Sequence, residues 1–266
     1  MDKLYGLMNW RNIEGIVYSD IGNPRSVLGM KVTKDGKLVG AFVPDAQNIS
    51  IRVEGVKKLY PMELMDEEGY FAALLPKTTK GNYKFVVEYK DGNTSEYYDA
   101  YQFEPDIPTE ELKKFNVGIC YDVYKYLGAH KSVIKGVNGY TFAVWAPFAD
   151  RVSVVGDFNM WDGRRNMMER IEDTGVFTIF IPELEDGSLY KFEIRKKNGE
   201  LELKADPYAF YSELRPGTAS VTFDIDGFKW SDSEWIKARE KKKPVKEPLS
   251  IYEVHLGSWK KPVSEG

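Results

Sequence analysis

Residues 139–163 read GYTFAVWAPFADRVSVVGDFNMWDG, and this stretch decides the fold class. Aromatic and β-branched residues fill residues 141–145 and 151–155, which predicts two short strands. Pro147 lies between them and cannot donate a hydrogen bond to a sheet, so it marks the connecting loop. The sequence therefore predicts β-sheet structure around this loop.

The second predicted strand alternates in character. Val152 and Val154 fall on one face, and Arg151 and Ser153 fall on the other. Successive strand residues point to opposite faces, so this pattern is typical of a half-buried strand. The turn that follows leads to Trp161, at the end of the predicted sheet. An indole there either fills a core or offers a flat apolar surface on which a sugar ring stacks.

The composition supports a folded, aromatic-rich protein. The chain has 266 residues, of which 42% are hydrophobic and 14% aromatic. This length predicts two domains or one large all-β domain. The formal net charge is −4, and the dense basic run at residues 239–243 has acidic neighbours, so no nucleic-acid partner is expected.

Cys120 is the single cysteine, so no internal disulfide forms and a cytoplasmic location is expected. Cys120, His130 and His255 are the only cysteine and histidines in the sequence, and they lack the paired spacing of a zinc site. Neither a metal nor another cofactor is therefore expected. The sequence has no apolar run long enough for a membrane span and no signal sequence at its start, so no membrane association is expected.

The two halves of the chain repeat one pattern. The matched residues follow in the same order: Pro44 with Pro147, Ile49 with Val152, Gly69 with Gly175, Pro76 with Pro182, Tyr83 with Tyr190 and Asp99 with Asp206. The offset between partners grows only from 103 to 107 residues. The sequence therefore predicts an all-β protein of two tandem immunoglobulin-like β-sandwiches, joined by a short helical connector.

The predicted organisation divides the chain into six segments. They are an N-terminal segment (1–27), a first sandwich (28–104), a helical connector (105–130), a second sandwich (131–228), a helix with a linker (229–249) and a final stretch (250–266). The final stretch contains IYEVHLGSW at residues 251–259, which is predicted to be a strand without a sheet of its own.

Several motifs resemble one enzyme family. They are DAYQF (99–103), YLGAH (126–130), FAVWAP (142–147), VVGDFNMWDG (154–163), KADPY (204–208), ELRP (213–216) and residues 251–259. Together they resemble the N-terminal part of bacterial 1,4-α-glucan branching enzymes of glycoside hydrolase family 13. The resemblance implies an extra N-terminal module, then a carbohydrate-binding module of family 48, and then the first strand of a catalytic (β/α)₈ barrel.

The resemblance also implies a reaction and its limits. The family cuts an α-1,4-glucan and transfers the freed segment to a 6-hydroxyl with retention. Retention needs two carboxyl groups about 5 Å apart, and in a barrel they lie at the ends of later strands. No catalytic residue is therefore assigned to this chain, and isolated it is expected to leave glucans unbranched.

The carbohydrate-binding relatives imply site residues. Trp161 matches a tryptophan that stacks on sugar, and Lys191 matches a lysine that contacts the ligand. Asn159 is expected to add a hydrogen bond. A second tryptophan of the relatives falls where this chain has Glu200 and Leu201, and an asparagine contact falls near Ser220. Two alternatives stay open, because Trp161 can instead pack on a neighbouring barrel and Lys191 can be a solvated lysine.

Three functions follow from different classes. The favoured one is the N-terminal portion of a branching enzyme, which binds α-glucan weakly and contacts a catalytic barrel through Tyr252, Leu256 and Trp259. The second is a free-standing glycogen- or starch-binding protein. The third is a non-catalytic module that docks on a partner chain. The final strand distinguishes them, because a self-contained binding protein has no use for it.

Overall fold

The computed structural model describes residues 2–246 and 248–260. Its first half opens with two helices and continues with strands. These elements are α1 (Asp2–Tyr5), α2 (Trp10–Val17), β1 (Gly29–Val32), β2 (Lys37–Phe42), β3 (Ala46–Val53), β4 (Leu59–Pro61), β5 (Glu63–Asp66), β6 (Tyr70–Leu75), β7 (Tyr83–Tyr89) and β8 (Thr94–Tyr98).

One helix separates this half from a second set of strands. The elements are α3 (Thr109–Asn116), β9 (Gly128–Ile134), β10 (Val137–Trp145), β11 (Ala149–Gly156), β12 (Glu169–Ile171), β13 (Val176–Pro182), β14 (Leu189–Lys196), β15 (Leu201–Lys204), β16 (Tyr211–Ser212), β17 (Ser220–Val221), α4 (Ser233–Lys241) and α5 (Leu256–Trp259). Strand β9 begins at Gly128, within the stretch expected to be connector, because its residues pair with β10 from Ala143 onward.

The strands form four antiparallel sheets in two facing pairs. The first pair has the orders β1-β2-β6-β5 and β4-β3-β7-β8, and the second has β12-β13-β10-β9 and β11-β14-β17-β16, with β15 beside β14. Apolar side chains from both sheets of each pair share one core. The all-β sandwich prediction is therefore confirmed, because alternating apolar residues leave each sheet one face to bury.

The internal repeat is visible in the hydrogen bonds. The Met62 amide donates to the Ile49 carbonyl at 2.9 Å, and the Met168 amide donates to the Val152 carbonyl at 2.8 Å. The two acceptors, Ile49 and Val152, are 103 residues apart, and the two donors, Met62 and Met168, are 106 residues apart. The three extra residues of the second sandwich therefore lie in the turn between them, and this turn carries Trp161.

Strand β11 differs from the prediction in one respect. Val152 and Val154 enter the core as expected, but Arg151 and Ser153 on the opposite face are also buried. The reason is the turn after β11, which folds back over that face: Arg151 donates to the Gly163 carbonyl at 2.8 Å and to the Glu193 carboxylate. The strand is therefore buried on both faces.

The two sandwiches contact each other directly within one compact unit, Met1–Ile225. The Phe103 and Phe180 rings lie 5.4 Å apart, and the Lys84 ammonium lies 2.9 Å from the Glu183 carboxylate. The Tyr101 hydroxyl donates to the Met167 carbonyl at 3.1 Å.

The second compact unit is Asp226–Gly266, and it corrects one expectation. Residues 251–259 do not form a strand: residues 250–255 lack regular structure, and Leu256–Trp259 forms a short helix. A strand needs a neighbouring strand to accept and donate its backbone hydrogen bonds, and the described residues provide none for this segment. Among those residues, no helix is long and apolar enough to cross a membrane.

Candidate functional site

The site is built on the turn that follows β11. Gly156 ends the strand, and a side chain there would collide with the Leu189 carbonyl oxygen and the Phe158 ring. Residues 157–159 then form one turn of 3-10 helix. The Trp161 amide donates back to the Gly156 carbonyl at 2.9 Å, which closes the turn.

Asn159 holds this turn from inside. Its side-chain oxygen accepts the Gly156 amide at 3.0 Å, and its side-chain nitrogen donates to the Val154 carbonyl and to Asn166 Oδ1, both at 2.8 Å. The residue is only 4% exposed. Both amide hydrogens are therefore engaged within the protein and support the turn, and the expected hydrogen bond from Asn159 to a ligand stays a prediction.

The chain then takes an unusual backbone conformation. Met160 and Trp161 both have φ of +59°, in the left-handed region. Non-glycine residues in this region cost about 1–3 kcal/mol each, and such residues concentrate at functional sites. Met160 is 65% exposed, so core packing of its side chain does not account for the conformation.

The Trp161 indole is fixed on the surface. Its Nε1–H donates to Asp157 Oδ1 at 2.7 Å, and the side chain is half-buried. With the polar end of the ring tied to Asp157, the orientation of the ring is restricted in advance of any ligand. Asp157 was not among the predicted site residues, although an acidic residue four positions before a tryptophan in a tight turn is a signal that could have identified it.

Lys191 lies on the adjacent strand. In the β11–β14 pairing, Lys191 is opposite Val155, and Tyr190 is opposite Gly156. Tyr190 and Phe192 enter the core, so Lys191 between them lies on the outer face. Its ammonium donates to the Thr218 hydroxyl at 2.7 Å.

The turn and Lys191 lie on the same face of the sheet. Arg151 links this face to the turn through its bonds to Glu193 on β14 and to the Gly163 carbonyl. Burial lowers the pKa of Arg151, with the neighbouring Glu193 acting in the opposite direction. The buried ion pair therefore anchors the turn over the strand that carries Lys191.

Two further positions were compared with ligand contacts of the relatives, Glu200 and Ser220, and both have other partners in this structure. Ser220 is 1% exposed, and its hydroxyl accepts the Asp206 amide at 2.9 Å, so it supports the fold. Glu200 is exposed and forms an ion pair with Lys196 at 3.2 Å. The predicted barrel contacts are exposed too: Tyr252, Leu256 and Trp259, with the rings of the first and last 5.7 Å apart.

Two known families match the chain, one in each half of the internal repeat. Residues 9–101 match the family described as the N-terminal domain of the alpha-1,4-glucan branching enzyme GlgB. Residues 126–209 match carbohydrate-binding module 48, also described as the isoamylase N-terminal domain. The turn with Trp161 and the strand with Lys191 both lie in the second match.

Curated relatives agree along nearly the whole chain. The 1,4-alpha-glucan branching enzyme of Rubrobacter xylanophilus is 40% identical over 94% of this chain and 34% of its own length. That of Gloeobacter violaceus is 42% identical over 96% of this chain and 35% of its own length. The chain thus spans about a third of the length of these relatives.

Solved structures are more distant. One is the crystal structure of a pullulanase from Anoxybacillus sp. LM18-11 complexed with maltotetraose. The match spans 74% of this chain and 26% of the pullulanase chain, at 19% identity and a TM-score of 0.33. This likeness is too weak to support a statement about function. The sequence matches are stronger, and they confirm the resemblance inferred from the motifs: over nearly its whole length the chain is similar to the N-terminal third of 1,4-alpha-glucan branching enzymes. It matches the N-terminal domain of that enzyme first and carbohydrate-binding module 48 after it.

Proposed function

We propose that this chain is the glucan-binding N-terminal portion of a 1,4-α-glucan branching enzyme, and that its second sandwich binds α-1,4-glucan at Trp161. The observation that carries the proposal is the half-buried Trp161 indole, tied to Asp157 at 2.7 Å, in a turn that Arg151 anchors to Glu193 on β14, the strand that carries Lys191. A pyranose ring presents a C–H face that stacks on an indole, while its hydroxyls accept from a nearby ammonium.

The expected affinity is modest. Aromatic stacking contributes about 1 kcal/mol beyond area burial, and a net hydrogen bond contributes about as much. Immobilising a flexible oligosaccharide opposes both, which places the dissociation constant near the millimolar range. A weak site of this kind still retains a polymer such as glycogen, because the polymer offers many equivalent segments. The branching chemistry itself is left to catalytic carboxylates elsewhere in the enzyme.

Affinity electrophoresis tests this function. In native gels cast with glycogen, the chain should migrate more slowly than in plain gels. Trp161→Ala should remove this retardation, whereas Trp235→Ala, at a 59% exposed tryptophan outside the second sandwich, should keep it. Equal retardation of the wild type and Trp161→Ala would reject Trp161 as the binding residue.

The proposal includes a partner. Tyr252, Leu256 and Trp259 are 74%, 82% and 62% exposed, an unusual exposure for three large apolar side chains within eight residues. We propose that they contact a catalytic barrel, and that the enzyme acts in the cytoplasm. The coding DNA downstream of the Gly266 codon tests the first point, because an open reading frame that continues into a (β/α)₈ barrel is expected there. An in-frame stop codon at that point would contradict it.

A further inference from the structure

Two asparagine–glycine pairs occur in the sequence, and the second sandwich places them in contrasting surroundings. Asn138-Gly139 belongs to β10, which pairs with β13 on one side and with β9 on the other. Asn198-Gly199 belongs to the exposed turn that connects β14 to β15. The same dipeptide therefore meets two environments, and these decide how reactive its side-chain amide is.

An asparagine–glycine pair has a characteristic covalent chemistry. The glycine backbone nitrogen attacks the asparagine Cγ, because glycine has no side chain to shield it and its backbone is flexible. A bond from this nitrogen to Cγ forms, the bond from Cγ to Nδ2 breaks, and the proton of the attacking nitrogen leaves with Nδ2 as ammonia. Water then opens the succinimide ring at either carbonyl carbon, which leaves an aspartate or an isoaspartate. The reaction requires a backbone that can bring the two atoms together.

The strand prevents this movement at Gly139. The residue is buried, and it lies opposite Pro182 on β13 and opposite Ser132 on β9. A Cβ on Gly139 would lie 2.3 Å from the Ile181 carbonyl oxygen, so the neighbouring strand approaches closely. The paired interior of a sheet opens only at a high free energy. The extended backbone therefore keeps the glycine nitrogen away from Cγ.

The turn at Asn198 imposes much less restraint. Asn198 and Gly199 are both exposed, and a side chain on Gly199 would meet no atom within 4 Å. Gly199 has φ of +82°, and its amide donates to the Lys196 carbonyl at 2.9 Å, a bond within the turn itself. Exposed turns open at a lower free energy than the paired interior of a sheet. Local opening of this turn is therefore enough to free the attacking nitrogen.

The Asn198 side chain is polarised for the attack. Its Oδ1 accepts the Glu200 amide at 3.1 Å, and this hydrogen bond draws electrons away from Cγ. Its Nδ2, the leaving group, lies 3.4 Å from the Glu200 carboxylate. An aspartate at this position would replace that donor with a carboxylate, and the two like charges would repel each other. An isoaspartate would in addition lengthen the backbone of the turn by one carbon.

We propose that Asn198 is a site of spontaneous deamidation in the folded chain, and that its modification loosens β15 from β14. Asn138 is protected by its strand. The hairpin is sensitive to the change because its ends are close together: the Lys196 amide donates to the Glu200 carbonyl at 2.9 Å, across the turn. An additional backbone carbon disturbs this closure. Neither step depends on glucan binding.

Peptide mass spectrometry of the full chain, aged in mildly alkaline buffer, tests the site. The peptide with Asn198 should gain the mass of one deamidation and separate into aspartate and isoaspartate forms, at least about tenfold faster than the peptide with Asn138. In concentrated urea the two rates should approach each other, because neither environment persists. Asn198→Gln should abolish the fast conversion, and Asn138→Gln should leave it unchanged. Equal rates at the two positions in the folded chain would overturn the proposal, as would conversion of Asn198 in urea alone.

Hydrogen exchange tests the consequence for the hairpin. After ageing, the backbone amides of β15 should exchange faster with solvent, whereas those of β9 and β10 should keep their rates. Aged Asn198→Gln should exchange as the fresh chain does. Asn198→Asp should show a smaller increase than the aged chain, because it adds the charge without the extra backbone carbon. Equal exchange of the β15 amides in fresh and aged wild type would contradict the loosening of β15.

Discussion

The Tyr190 hydroxyl donates a hydrogen bond to the buried Asp206 carboxylate at 2.6 Å. The first sandwich repeats the pair 107 residues earlier, where the Tyr83 hydroxyl donates to Asp99. In both pairs the other carboxylate oxygen accepts a backbone amide two residues on, that of Tyr208 or Tyr101. The repeat in the sequence therefore preserves a specific buried contact as well as a strand pattern.

Removing either hydroxyl should destabilise the fold. In Tyr190→Phe the Asp206 carboxylate stays buried with one hydrogen bond fewer, which costs about 1–3 kcal/mol. Urea denaturation measures this loss as a lower midpoint. Tyr121→Phe is the matched control, because Tyr121 is 89% exposed, and it should leave the midpoint unchanged. A Tyr190→Phe midpoint equal to that of the wild type would show that the pair does not stabilise the sandwich.

The sandwich fold could be predicted from sequence because its determinants are local. Alternating residues such as Val152 and Val154, together with turn residues between short strands, specify which side chains a sheet buries. The double burial of Arg151 could not be predicted this way, because it depends on a turn that returns over the strand. The strand predicted at residues 251–259 was wrong for a related reason, since strand structure requires a partner as well as a pattern.

Asp99 should make stability depend on pH. Burial raises its pKa from 3.8 to about 6, although the Tyr83 hydrogen bond acts in the opposite direction. Between these values the folded state keeps a proton that the unfolded state has lost. The contribution of Asp99 to the free energy of unfolding is therefore complete below about pH 4 and is lost as the pH rises to about 6.

Asp99→Asn tests this dependence, because asparagine does not titrate. The difference in free energy of unfolding, wild type minus Asp99→Asn, should fall by roughly 2–3 kcal/mol between pH 4 and pH 6.5. Chemical denaturation at a series of pH values gives this difference. Asp206 and Glu169 also have raised pKa values, but they are present in both proteins and cancel. Parallel curves would contradict the assignment of Asp99.

Asn159→Ala should separate positioning from contact. The substitution removes the three hydrogen bonds that hold the turn, so the free energy of unfolding should fall by about 1–3 kcal/mol. Glucan binding should weaken too, because the indole loses its support. Trp161→Ala should weaken binding while the free energy of unfolding changes by no more than about 1 kcal/mol. If Asn159→Ala retained full stability yet lost binding, Asn159 would be a direct ligand contact.

The site was predictable only in part. Trp161 and Lys191 were assigned through the family resemblance and stay predictions; the structure puts Lys191 on the outer face of β14 and ties the Trp161 indole to Asp157. Asp157, which accepts the indole N–H, could have been found from its position four residues before Trp161, although the contact itself depends on the geometry of the turn. The burial of Asn159 and its hydrogen bonds within the turn could not be predicted either, because they depend on how the turn folds back over β11.

Calorimetric titration with maltoheptaose tests the central claim, that the second sandwich binds α-glucan through Trp161, most directly. The wild type and Trp235→Ala should bind with the same dissociation constant, near the millimolar range. Trp161→Ala should bind at least about fivefold more weakly, because it loses a stacking contact of about 1 kcal/mol together with the area that the ring buries. A dissociation constant of Trp161→Ala equal to that of the wild type would contradict the account.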